Sequence, residues 1–170
     1  MNAKNSHRIF VAIELSPKVK ASLRHLQDQY RETMPGGRYE DVNNLHITLA
    51  FIGETDRTDD VVKAISEIQF EPFEIDTTHV GRFQTRHGCD LLWMGLSNEA
   101  KLGALSSAVK SALDSIGVEY SQTPFKPHIT LIKDTEGWPF LSTVSVKMKV
   151  DKINVMETTM VDGHIKYITL

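Results

Sequence analysis

His46-Ile47-Thr48-Leu49 recurs as His128-Ile129-Thr130-Leu131, 82 residues further on (128 − 46) in a chain of 170. The copies lie in NLHITLAFIGE and FKPHITLIKD, apolar β-branched runs with period-2 alternation, which read as strands. Residues i and i+2 of a strand point to one face. His46 and Thr48 therefore share a face, and Ile47 and Leu49 take the other; His128 and Thr130 stand likewise against Ile129 and Leu131. Each half of the chain offers one imidazole beside one hydroxyl, backed by a face that can be buried. Two half-buried strands that merely carry histidine would leave the same trace. The strand context and the polar turn after each copy (Gly53-Glu54, Lys133-Asp134) favour one shared site.

The segments around these strands supply a scaffold. Residues 8–15 form a nearly continuous apolar run, a buried strand. Ser16-Pro17 opens a helix, with Val19, Leu23, Leu26 and Tyr30 on one stripe to about Glu32. Pro35-Gly36-Gly37 breaks it. Thr58 is the expected cap of a second helix, with Asp59 and Asp60 in its first turn and Val61, Ala64, Ile65 and Ile68 inward. Strands are expected over 73–80 and 91–96, joined by a polar connection from Gly81 to Gly88. Asn98 caps a third helix that Gly117 stops. Val144, Val146, Met148 and Val150 alternate in a strand over 143–150. The strands 153–156 and 165–168 meet around the turn Asp162-Gly163. The order β-α-β-α-β-β-α-β-β-β-β, with a helix upstream of each tetrapeptide, predicts an α+β fold. Two similar lobes, each an antiparallel sheet with outer helices, would enclose a central cleft. Without a linker or low-complexity segment, residues 1–170 read as a single domain of two pseudo-repeated lobes.

Composition narrows the function. A net charge of −3 argues against a long groove tracking duplex phosphates, but permits a small anion held by a few local cations. The single Cys89 rules out an internal disulfide and suits a reducing compartment; it reads as filler beside Leu91 and Trp93. No apolar leader and no run of membrane-spanning length is visible, so the expectation is a cytoplasmic monomer with no membrane or obligate protein partner.

Two imidazoles in one cleft suit general acid–base catalysis, one ring accepting a proton while the other donates. Thr48 and Thr130 supply neutral donors for the non-bridging oxygens of a phosphate. Lys133, at i+5 from His128, falls on the opposite face unless the strand ends or bulges after Leu131; it would then bring charge to a phosphate. Such a site performs phosphoryl chemistry with no metal and no cofactor. Lys126 and Lys133 also fit solvated lysines, and Phe10 fits core as well as a platform for a base. Arg82, Arg86 and His87 fit a phosphate contact, with a solvated loop as the default. His7, His25, His79 and His164 belong to no constellation. A zinc site built on the two histidines lacks any His-x₃-His or paired-Cys spacing. A binding module that only recognises phosphorylated ends is the non-enzymatic alternative.

Two H-x-T-hydrophobic motifs some eighty residues apart resemble the two-histidine phosphoesterases. The resemblance is closest to the RNA 2′,3′-cyclic phosphodiesterases, also named 2′-5′ RNA ligases. It runs through RIFVAI at residues 8–13, NLHITLAFIGE, DLLWMGL, FKPHITLIKD and METTMVDGHIKYITL. It implies a bilobed α+β fold and metal-free hydrolysis of a 2′,3′-cyclic phosphate to a 2′-phosphate, on RNA ends or small cyclic nucleotides. By motif position the resemblance implies that His46 is the acid that protonates O3′ and His128 the base that activates water. It implies too that Thr48 and Thr130 hold phosphate oxygens, and Phe10 is similar to a family aromatic near the substrate. Relatives often carry arginine where this chain has Lys133, which keeps the charge and loses the bidentate fork. Reversible 2′-5′ ligation is a further activity of the family.

Overall fold

The computed structural model describes residues 6–84, 90–135 and 143–170. Among them the elements run β1 (His7–Glu14), α1 (Pro17–Thr33), β2 (Arg38–Tyr39), a 3₁₀ turn (Val42–Asn44), β3 (His46–Thr55), α2 (Thr58–Ser66), β4 (Phe73–Gln84), β5 (Asp90–Leu96), α3 (Glu99–Ser115), β6 (His128–Thr135), β7 (Lys147–Val150), β8 (Asn154–Val161) and β9 (His164–Thr169). The strands form two sheets, ordered β3-β1-β8-β9 and β2-β6-β5-β4-β7, with antiparallel pairing throughout. This is the expected α+β architecture, with one tetrapeptide strand in each sheet.

The local chemistry explains the elements. Ser16 caps α1 by accepting from the Val19 amide, and Pro17 takes the first turn, where a missing N–H costs nothing. Val19, Leu23, Leu26 and Tyr30 bury the inner stripe of α1. At the end of α3 the Val118 amide returns to the Leu113 carbonyl, closing over left-handed Gly117. Asp162 and Gly163 both take positive φ, as a two-residue turn matching the twist of β8 and β9 requires. One apolar cluster joins both sheets and all three helices: Ile47 and Leu49 from β3 meet Ile129, Leu131 and Leu92, with α1, α2 and α3 around them. The buried half of each tetrapeptide thus anchors a common core, and the polar half is left facing out.

Several expectations change. Thr58 begins α2, but Arg57 is its cap residue and no side chain closes that end; the Thr55 hydroxyl accepts the Arg57 amide instead. Asn98 caps α3 by position, in a left-handed conformation, and its side chain donates to the Glu74 carbonyl. Residues 81–84 continue β4 rather than opening a loop. Gly81 sits opposite Trp93, and a Cβ there would lie 2.2 Å from the indole, so the glycine makes room for the cross-strand ring. Arg82 pairs with Asp90 at 3.3 Å. Arg86, His87 and Cys89 lie outside the described residues. The alternation over 143–150 is present, but the strand spans only Lys147–Val150; before it the Thr77 hydroxyl donates to the Val144 carbonyl and accepts the Val146 amide, and the Thr77 amide donates to the Val146 carbonyl. β2 is new, a two-residue strand too short for any periodicity.

Candidate active site

Both histidine strands break the strict two-residue alternation just after the tetrapeptide. On β3, Leu49 and Ala50 are both buried, and the register against β1 skips between Ala12↔Thr48 and Val11↔Ala50. On β6, Leu131 and Ile132 are both buried, and the register against β5 skips between Trp93↔Thr130 and Leu92↔Ile132. A bulge of one residue reverses the parity of all that follows. Lys133 is thereby returned to the face of His128 and Thr130, which meets the condition set from sequence. The same bulge brings Phe51, at i+5 from His46, onto the face of His46 and Thr48.

These faces meet in a cavity of about 360 Å³ that includes His46, Thr48, His128, Thr130, Lys133 and Phe10 in its lining. The six residues to which the family resemblance gave a place at the site are therefore together, while Lys126 and Arg82 do not line this cavity. Each imidazole is held in the same way. His46 Nδ1–H donates to the Asn44 carbonyl at 2.7 Å, and His128 Nδ1–H donates to the Lys126 carbonyl at 2.6 Å. A carbonyl only accepts, so the tautomer is fixed and Nε2 is left as the acceptor of each neutral ring. The Thr48 hydroxyl lies 2.9 Å from His46 Nε2 and donates to it while the ring is neutral. Phe10 is only 3 % exposed. Its ring lies 4.9 Å from His46 and 5.0 Å from Tyr167, so it supports the imidazole from below.

The pKa of His46 lies below that of an ordinary imidazole. Burial is the main cause; interaction with His128 and with the Lys133 ammonium pushes the same way, while the Asn44 carbonyl and the Glu40 carboxylate oppose them. Lys133 Nζ lies 3.0 Å from Glu40, so its charge is shared with a carboxylate before any ligand arrives. Glu40 is placed by Gln27, a buried polar side chain of α1 that donates to the carbonyls of Glu40 and Leu131. Among the described residues no three His, Cys, Asp or Glu side chains group as a metal-ligand set. No helix there is long and apolar enough to cross a membrane.

Sequence reading missed Arg8, Glu40, Asn44, Phe51, Thr158, Ile165 and Tyr167 in the lining. Two had a visible signal. Arg8 shares strand parity with Phe10, and Phe51 stands to His46 as Lys133 stands to His128. Tyr167 had none: it arrives on β9, packing edge-on to His46 at 5.1 Å. The Asn44 side chain holds that strand, donating to the Ile165 carbonyl and accepting the Tyr167 amide.

The chain is similar to known proteins. The RNA 2′,3′-cyclic phosphodiesterase of Archaeoglobus fulgidus is 26% identical over 152 residues, 88% of this chain and 85% of its own. That of Escherichia coli is 29% identical over 132 residues, 75% of this chain and 72% of its own. The crystal structure of E. coli LigT in its apo form superposes with a TM-score of 0.78 at 23% identity, covering 97% of this chain and 95% of LigT, a likeness of fold. TT0787 of Thermus thermophilus gives 0.79 at 22% identity, covering 96% and 94%. A sequence profile described as the 2′-5′ RNA ligase superfamily accounts for residues 15–160, and the chain belongs to that superfamily.

Proposed function

We propose that the protein is an RNA 2′,3′-cyclic phosphodiesterase, hydrolysing a terminal 2′,3′-cyclic phosphate to a 2′-phosphate. The observation that carries this reading is the matched pair of imidazoles. Each is tied through Nδ1 to the carbonyl two residues before it, and each stands beside a threonine in one cavity. In the proposed step His128 Nε2 takes a proton from water as the water oxygen bonds to phosphorus. The P–O3′ bond breaks, and O3′ takes a proton from His46 Nε2–H, leaving the phosphate on O2′. Once His46 is protonated, Nε2 no longer accepts from Thr48, and that hydroxyl is free to donate to a phosphate oxygen. Thr130 donates to another, and Lys133 supplies positive charge on the same face. The same pair would run 2′-5′ ligation with a 5′-hydroxyl in place of water.

The curated relatives carry the name of this activity, and the superfamily match covers most of the chain. Because each sheet carries only half of the pair, the reading treats both lobes as one catalytic domain, active as a cytoplasmic monomer. The test is turnover of a short RNA ending in a 2′,3′-cyclic phosphate, with the position of the product phosphate assigned. A 2′-phosphate is expected. Tight binding of the RNA end with no turnover would favour the binding-module reading instead.

A further inference from the structure

Glu40 is the only carboxylate among the described residues that line the reaction cavity, beside Arg8, Lys133 and the two imidazoles. An acid works against a site that receives an anion, because like charges repel across a partly dehydrated cleft. The chain nevertheless fixes it there. The Glu40 amide donates to the Leu131 carbonyl at 3.0 Å, and the Glu40 carbonyl accepts from the Gln27 side-chain amide at 2.9 Å. Gln27 is 1% exposed and also donates to the Leu131 carbonyl, at 3.0 Å. Both backbone groups of Glu40 are thus tied beside the bulge that turns Lys133 toward the cavity. The carboxylate then lies 3.0 Å from Lys133 Nζ, with its side chain less exposed than that of the lysine. Its charge is felt across the cavity: burial raises the pKa of Tyr167, Glu40 adds to the rise, and Lys133 and Arg8 oppose it.

The reaction changes the charge of what this carboxylate meets. A cyclic phosphate is a diester and carries one negative charge. Hydrolysis breaks P–O3′, gives O3′ a proton and leaves the water oxygen with its second hydrogen on phosphorus. That hydrogen ionises with a pKa of about 6, so at neutral pH the product carries close to two negative charges. Repulsion from a fixed carboxylate grows with the charge of the ligand. A carboxylate beside the phosphate-binding cation therefore costs the product about twice what it costs the substrate. An acid that only oriented Lys133 would help both ligands alike.

We infer that Glu40 is a specificity-determining residue of the cavity: its carboxylate, held against Lys133, selects the singly charged cyclic phosphate over the doubly charged 2′-phosphate and so speeds release of the product. The inference rests on the phosphodiesterase reading above. Lys133 keeps enough positive charge to meet the diester, and Glu40 withholds the remainder from the monoester.

The experiment compares a nucleoside, its 2′,3′-cyclic phosphate and its 2′-phosphate on the wild type, Glu40→Gln and Glu40→Asp. It is run at about pH 7.5, where the 2′-phosphate is mostly a dianion. The nucleoside and the 2′-phosphate are titrated as competitive inhibitors of cyclic-nucleotide hydrolysis. Affinity for the cyclic nucleotide is taken from single-turnover rates against enzyme concentration. In Glu40→Gln the affinity for the cyclic nucleotide should rise about threefold, the scale of one screened charge pair. Affinity for the 2′-phosphate should rise about tenfold, the square of that factor, and the nucleoside should bind as before. Glu40→Asp keeps the charge and should stay near the wild-type ratio of product to substrate affinity. Both variants keep the amide and carbonyl of residue 40, and thermal unfolding checks that the fold is retained. Affinities for substrate and product that fall together in Glu40→Gln would leave Glu40 as an orienting partner of Lys133 and overturn the inference. An equal gain for all three ligands overturns it as well, since the carboxylate would then act on the nucleoside and not on the charge. In either case the wild type still opens the cyclic phosphate, and the phosphodiesterase reading stands. A wild type that forms no 2′-phosphate removes both.

Discussion

At His46 the proposed role and the local field pull against each other. A general acid must carry its proton, yet burial lowers the pKa of this ring below the ordinary imidazole value. In the free enzyme, raising the pH strips His46 early, so the fraction able to protonate O3′ falls at a lower pH than an ordinary histidine would allow. A bound phosphate anion restores the proton by its charge. The kcat/KM profile should therefore be bell-shaped, with one limb displaced to the acid side, and that limb should move to higher pH in kcat. The limbs are macroscopic values of the pair, because the charge of His128 reaches His46. Glu40 raises the His46 pKa, so Glu40→Gln should carry the displaced limb further to the acid side. A flat profile from about pH 5 to pH 9 would mean that neither ring transfers a proton in the limiting step. Lys133 offers a second test. Lys133→Ala should raise KM for the cyclic phosphate and lower the rate, whereas Lys133→Arg should retain both, since its fork can serve Glu40 and a phosphate oxygen together. Wild-type kinetics in Lys133→Ala would leave that lysine as a partner of Glu40 alone.

The elements show what a sequence can and cannot disclose. The tetrapeptide strands were legible because alternation sorts His and Thr from Ile and Leu without reference to any partner strand. The bulges were not, because a bulge is a property of register between two strands. Whether Lys133 faces the cavity thus stayed conditional, and Phe51 went unseen. The contribution of β9 was equally hidden: Asn44 and Tyr167 are 123 residues apart, and a side chain makes the join. That join is testable. Asn44→Ala keeps the carbonyl that fixes the His46 tautomer and removes the clamp on β9. It should lower kcat by about tenfold, the scale of one or two net hydrogen bonds, with little change in thermal stability. Asn44→Asp should restore part of the rate, since it keeps an acceptor for the Tyr167 amide. Full activity in Asn44→Ala would show that Tyr167 needs no such restraint to support His46.

At the scale of the whole molecule, two sheets share one core and each presents half of a site. The two-lobed α+β plan could be read from the 82-residue repeat (128 − 46) and the helix upstream of each copy. The angle at which the lobes meet could not, because it follows from packing among β3, β6 and three helices. The proposed chemistry uses only side chains of this chain, so hydrolysis should survive EDTA. Loss of activity on chelation, restored by added zinc or magnesium, would contradict that. Acid and base act on one displacement, so removing either should leave the other little to do. His46→Ala and His128→Ala should each cost ~10²–10⁴-fold in rate, and the double variant should lose far less than the product of the two. Thr48 and Thr130 remain in all three, so affinity for a 2′-phosphate end should fall much less than turnover. The most direct measurement is single-turnover hydrolysis of a cyclic-phosphate RNA, beside equilibrium binding of the product, for the wild type and these three variants. Large, non-additive losses of rate with affinity largely kept are the expected result. Binding that collapses in step with rate, or near-full rate in either single variant, would contradict the paired acid–base site.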